Sequence, residues 1–140
     1  MKTLKLQRID IQTFIDRFNV SLPFERSKVR NVFVREQLLP IVESTDSKRK
    51  EIVEAVCKKD DKGEKIILPN GQLDFTPEGL KTAQEQYNEV QQEEVSIEIN
   101  EQVEANLKII KDLIIKSSEE LEAKESIALE RIVSAIEKIA

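Results

Sequence analysis

Residues 100–140 contain neither glycine nor proline, and no other feature constrains the fold of this chain as much. Their apolar positions advance mainly in steps of three and four: Val103, Leu107, Ile110, Ile114, then Leu121, then Leu129, Ile132, Ile136 and Ile139. Such steps keep one face of an α-helix apolar. Unbroken, that helix reaches roughly 60 Å. A rod this long outruns the globule that residues 1–99 can build, so its stripe is expected to pack on a partner or fold back on itself. The predicted partner-binding residues are Leu107, Ile110, Ile114, Leu121, Leu129, Ile132 and Ile136, acting by apolar burial. Ser117 and Glu120 have capping-box spacing inside a polar stretch, so a break near Ser117-Ser118 is the alternative to one continuous helix. The steps average nearer to about 3.67 residues than 3.5, which favours a straight or slightly right-handed bundle over a leucine zipper.

Within 140 residues, only three are glycine and four are proline, so helix should dominate and long loops should be few. The single cysteine, Cys57, excludes an intrachain disulfide and the zinc patterns built on cysteine pairs. Histidine is absent, which removes the usual general base near neutral pH and a common metal ligand. The first ten residues alternate polar and apolar, unlike a signal peptide, and no run approaches the apolar length of a membrane span.

Charge divides the chain. Residues 1–65 hold 15 basic and 11 acidic side chains, a net of +4, whereas residues 66–140 hold 7 and 16, a net of −9. A bipolar chain can stack head to tail or offer its acidic half to a basic partner. It can equally be a solubilised helical surface.

Thr3-Leu4-Lys5-Leu6-Gln7 alternates with period two and reads as a strand. Asp10 is placed to cap a helix to about Asn19 that turns Ile11, Phe14, Ile15 and Phe18 inward. A second helix is expected over 25–39, with Val29, Val32, Phe33 and Leu39 inward, until Pro40 kinks or ends it. Ser44-Thr45-Asp46-Ser47 offers caps for a third helix that buries Ile52, Val53, Val56 and Cys57. Pro69-Asn70-Gly71 reads as the turn of a hairpin over 65–75. Thr76-Pro77-Glu78 starts a helix with a hydroxyl cap, proline in the first position and an acid in the first turn. Its expected inner face is Leu80, Ala83, Tyr87 and Val90. Residues 94–99 alternate strictly and form a strand to join the hairpin or the N-terminal strand. The predicted class is therefore α+β, predominantly α: a small head over 1–99 with a short antiparallel sheet, and a long amphipathic helix over 100–140.

The candidate chemistry is thin. Cys57 lies on an apolar helix face, where a small buried residue is the expected role and a nucleophile the weaker one. The segment Lys58-Lys59-Asp60-Asp61-Lys62-Gly63 mimics a calcium loop, but lysines occupy its first and fifth ligand positions, so it fails. Acidic pairs such as Glu93-Glu94 and Glu119-Glu120 fit a solvated face. Gly63, Gly71 and Gly79 are too scattered for a phosphate loop. Arg26, Lys28, Arg30, Arg35 and Lys48-Arg49-Lys50 make a basic cluster, yet the aromatics that would stack bases sit on core faces and acids dilute it. Neither a catalytic site nor a metal nor a cofactor is expected, and nucleic acid is not the expected partner.

The order of an N-terminal strand, a basic helix, a helix ending in Cys57-Lys58-Lys59-Asp60-Asp61-Lys62-Gly63-Glu64, then Gly71-Gln72-Leu73-Asp74-Phe75, a helix, and Glu93-Glu94-Val95-Ser96-Ile97 resembles a family of small uncharacterised phage and prophage proteins of Gram-positive bacteria. Its members are commonly encoded among late, tail-proximal genes. The resemblance covers roughly residues 1–100 and implies a viral context, with the host cytoplasm or the virion as the site of action. It carries over no catalytic residue. The expectation is a non-enzymatic phage structural or assembly protein that self-associates or docks through its C-terminal helix. The alternative is an inhibitor that binds a host defence or housekeeping protein through the acidic half.

Overall fold

Leu4 and Leu6 alternate with exposed Thr3 and Lys5, and Ile97 and Ile99 alternate with exposed Ser96 and Glu98. Period-two burial of this kind makes each segment one strand with one greasy face. A computed structural model, describing residues 2–116 and 122–139, pairs β1 (Lys2–Gln7) with β2 (Glu94–Ile99) in an antiparallel sheet of two strands. The register sets Leu4 against Ile97 and Leu6 against Val95. The helical elements, in chain order, are α1 (Arg8–Arg17), α2 (Phe24–Phe33), a π-helical turn (Val34–Leu38), α3 (Leu39–Val56), α4 (Pro77–Gln92), α5 (Glu101–Lys116) and α6 (Ala123–Glu137). The molecule is predominantly helical with a small antiparallel sheet, the predicted class.

Two compact units emerge: Met1–Val42 with Glu93–Ala140, and Glu43–Gln92. In the first, the inner face of the sheet packs on α1, α5 and α6. Phe14 lies 5.0 Å from Phe18 and stands edge-on to Phe33 at 6.3 Å between ring centroids. Asn100 caps α5, its Oδ1 accepting the Val103 N–H at 2.8 Å. Lys111 on α5 reaches Glu137 on α6 at 3.2 Å, tying the end of one helix beside the middle of the other.

Several expectations change here. The stretch after residue 100 contributes two packed helices, α5 and α6, and the predicted break at Ser117-Ser118, like Leu121, lies outside the described residues. Asp10 does not cap α1, which begins at Arg8; its carboxylate turns inward and is buried. Pro40 ends nothing. It cannot donate to the carbonyl four residues back, and its ring crowds that turn. The chain absorbs this by widening the preceding turn, where Leu39 N–H bonds the Val34 carbonyl, and helix continues through Ser44-Thr45-Asp46-Ser47. Leu39 is partly exposed as a result.

The second unit contains most of α3, α4 and the segment between them. That segment is not part of the sheet; it closes through single bridges, Lys59 to Lys65 and Ile67 to Leu73. Lys58 N–H bonds the Asp74 carbonyl at 2.8 Å, Asp74 N–H bonds Ile66 and Ile66 N–H bonds Lys58, both at 3.0 Å, so three residues at eight-residue intervals close a ring. Its two turns are built alike. Asp60 Oδ1 accepts the Lys62 and Glu64 N–H groups, Asn70 Oδ1 accepts that of Gln72, and Gly63 and Gly71 hold φ of +80° and +86°. Thr76 caps α4 as predicted, its hydroxyl accepting the Gly79 N–H at 2.9 Å. Ala83 is buried on α4, whereas Leu80, expected inside, is exposed.

Candidate functional site at the open edges of the sheet

Of the residues predicted to bind a partner, the six that the structure describes are interior ones. Leu107 and Ile110 are 1% exposed, and Ile114, Leu129, Ile132 and Ile136 are buried with them against Leu4, Leu6, Ile11 and Phe14. The stripe finds its cover within the chain because α5 and α6 each fit on the greasy underside of the sheet, which a single rod would not. It is core, and it presents nothing to a neighbour while the protein is folded.

Other candidates resolve in the same way. Cys57 is buried and its thiol points at the Glu54 carbonyl, 3.5 Å away. Among the described residues no group of His, Cys, Asp and Glu is arranged to hold a metal ion, and no helix is long and apolar enough to cross a membrane. Arg30, central to the basic cluster, donates to the Phe18 and Val20 carbonyls and so clamps the α1–α2 loop. Arg35 pairs with its neighbour Glu36 at 3.4 Å.

What remains open is the sheet. In an antiparallel pair, residues alternate between those that bond the partner strand and those that face away from it. Arg8 N–H donates to the Glu93 carbonyl at 3.0 Å, which continues the ladder and makes Leu6–Val95 and Leu4–Ile97 the bonded pairs. Thr3, Lys5 and Gln7 therefore turn their N–H and C=O groups to the free edge of β1, and Glu94, Ser96 and Glu98 turn theirs to the free edge of β2.

Each edge borders a groove. Beside β1, a cavity of about 460 Å³ runs between Thr3, Lys5 and Gln7 and the α6 stripe Ile127, Arg131 and Ser134, with Lys138 just past the helix end. Beside β2, a cavity of about 420 Å³ lies between Ser96 and Glu98 and the π-turn region, at Glu36, Gln37, Pro40 and Ile41. The second groove has acidic and no basic lining residues. The first is mixed: Lys5, Lys138 and Arg131 face Asp10, Glu94 and Glu130. Arg131 is already matched by Asp10, with Nε and Nη2 on the two carboxylate oxygens at 2.9 and 2.7 Å. That contact holds the guanidinium proton even more firmly than usual. Among the described residues, Lys5, Glu94 and Glu98 make no ion pair.

Both strands were legible in the sequence, but the open edges were not. The missing signal was that the 65–75 segment closes on its own neighbours and supplies no third strand. The charge pattern was visible: outward residues are Thr, Lys, Gln on one strand and Glu, Ser, Glu on the other.

Comparison of the chain with protein-family models, with curated proteins and with solved structures finds no match.

Proposed function

We propose that this chain is a non-enzymatic structural or assembly protein of a phage, which works in the host cytoplasm or virion by docking onto protein, its own copies included. The observation that carries the reading is a sheet left at two strands with both edges bordering grooves, one of them lined by two acids and no base. Backbone groups on an open edge pair readily with another strand, and folds that need no partner usually cover or shorten such edges. The phage context rests on the resemblance over roughly residues 1–100.

Sedimentation of the purified chain across a wide concentration range tests this. Reversible growth in mass is the expected result. A monomer at every concentration overturns self-association and leaves docking on another protein to be sought. The net −9 charge of residues 66–140 favours a second reading, inhibition of a basic host protein. A monomer that forms a salt-sensitive, stoichiometric complex with one purified host protein favours that second reading.

A further inference from the structure

We infer that copies of this chain join edge to edge, β1 of one copy against β2 of the next, so that their two-stranded sheets merge into one antiparallel sheet. This deepens the assembly reading and rests on it.

Charge selects the pairing. A β1–β1 contact would set Lys5 near its own copy, and a β2–β2 contact would set Glu94 and Glu98 near theirs. Like charges across a ladder destabilise it. Of these junctions between copies, only the mixed one puts Lys5 of one copy among glutamates of another, as Lys5 already lies diagonal to Glu94 and Glu98 of its own chain. In the register used inside each chain, Thr3 meets Glu98, Lys5 meets Ser96 and Gln7 meets Glu94, with Lys5 diagonal to both acids. A register shifted by two residues places Lys5 directly opposite one of them. In that shifted register, charges that have no ion-pair partner among the described residues of one chain find one in the next.

Topology permits repetition. Because β1 and β2 are antiparallel, an antiparallel β2–β1 junction leaves every β1 pointing the same way. The same operation then relates each copy to the next, and such head-to-tail contacts close into a ring or extend as a filament. The grooves leave room beside each edge for the incoming strand.

The test uses the full chain and sedimentation. K5E alone and E94K/E98K alone should keep their circular dichroism and lose the assembled species, and a mixture of the two should regain it, since each then meets an opposite charge. T3P and S96P remove one outward N–H each at positions where an edge strand tolerates proline. Each leaves one edge live, so their mixture should stop at a dimer. Wild-type assembly that persists in all four variants overturns edge pairing while self-association stands. A wild-type chain that never assembles removes both this inference and the self-association beneath it. If a charge variant misfolds, the proline pair decides.

Discussion

Arg131 of α6 grips Asp10 of α1 with two parallel hydrogen bonds, joining residues 121 positions apart. Asp10 is a buried charged residue, 1% exposed, on the same side of α1 as Phe14. A carboxylate there needs a fixed cation. Arg131 supplies it from a helix whose opposite side, Leu129, Ile132 and Ile136, is packed in the core. The pair therefore fixes where α6 lies, and with it one wall of the β1 groove.

Removing one partner should expose that dependence. Arg131→Met leaves the buried carboxylate without its cation and should cost about 3 kcal/mol, near the low end for a broken buried pair because water still reaches the half-exposed arginine side. Asp10→Leu combined with Arg131→Met should recover much of the loss. Urea midpoints measure both. Equal midpoints for wild type and Arg131→Met would show that the pair orders nothing.

Neighbouring isoleucines on α5 separate core from surface. Ile110→Ala should cost about 3 kcal/mol, since the side chain is fully buried and leaves a cavity. Ile109→Ala, at a position 37% exposed, should stay within about 0.5 kcal/mol. Thermal denaturation distinguishes them. Ile110→Glu with Ile132→Glu should unfold the first unit; a folded protein of reduced mass would restore the stripe as an interface.

The sequence was most legible where local chemistry alone decides the structure. Alternation gave β1 and β2, and Thr76-Pro77 gave the start of α4, because a strand pattern and a cap are each settled within a few residues. It misled where a distant contact decides. Asp10 has the residue type of a cap but serves as a counter-ion, and nothing within α1 signals Arg131. Ser44 to Ser47 have good capping chemistry, yet helix runs through them once the π-turn has accommodated Pro40. The tail stripe was read correctly as apolar and wrongly as uncovered, since its cover comes from β1, β2 and α1. The open strand edges were hidden for a related reason: strand number depends on where the 65–75 segment folds. That segment carried an unread signal, because Gly63, Gly71 and Gly79 stand eight residues apart, the interval of the backbone ring through Lys58, Ile66 and Asp74.

Gly79 shows what the last of those glycines does. A Cβ built there meets the Val56 carbonyl oxygen at 2.9 Å and Thr76 Oγ1 at 3.1 Å, so the start of α4 touches the end of α3 through a missing side chain. Alanine is the better helix former by about 1 kcal/mol. Crowding against backbone should outweigh it at about 1–3 kcal/mol, giving net destabilisation for Gly79→Ala. A raised melting temperature would show that the contact relaxes at no cost.

The ion pair between Glu54 and Lys65, 2.9 Å apart, should give the second unit a pH dependence of known sign. The hydrogen bond and charge of Lys65 hold the Glu54 carboxyl below its ordinary value of 4.5. Glu54 in turn holds the Lys65 ammonium above its ordinary 10.5. A lowered carboxyl pKa adds stability above the unfolded value and loses it as pH falls through the folded one; a raised ammonium pKa adds stability below its unfolded value and loses it as pH climbs through the folded one. The pair is therefore fully engaged between those two ordinary values and weakens outside them. Both groups are solvent-exposed, so the effect should be small and sensitive to salt. Lys65→Met should flatten the acid limb of the urea midpoint plotted against pH at low ionic strength, and added salt should flatten the wild-type limb toward it. Parallel limbs at low salt would mean that the contact does not persist in solution.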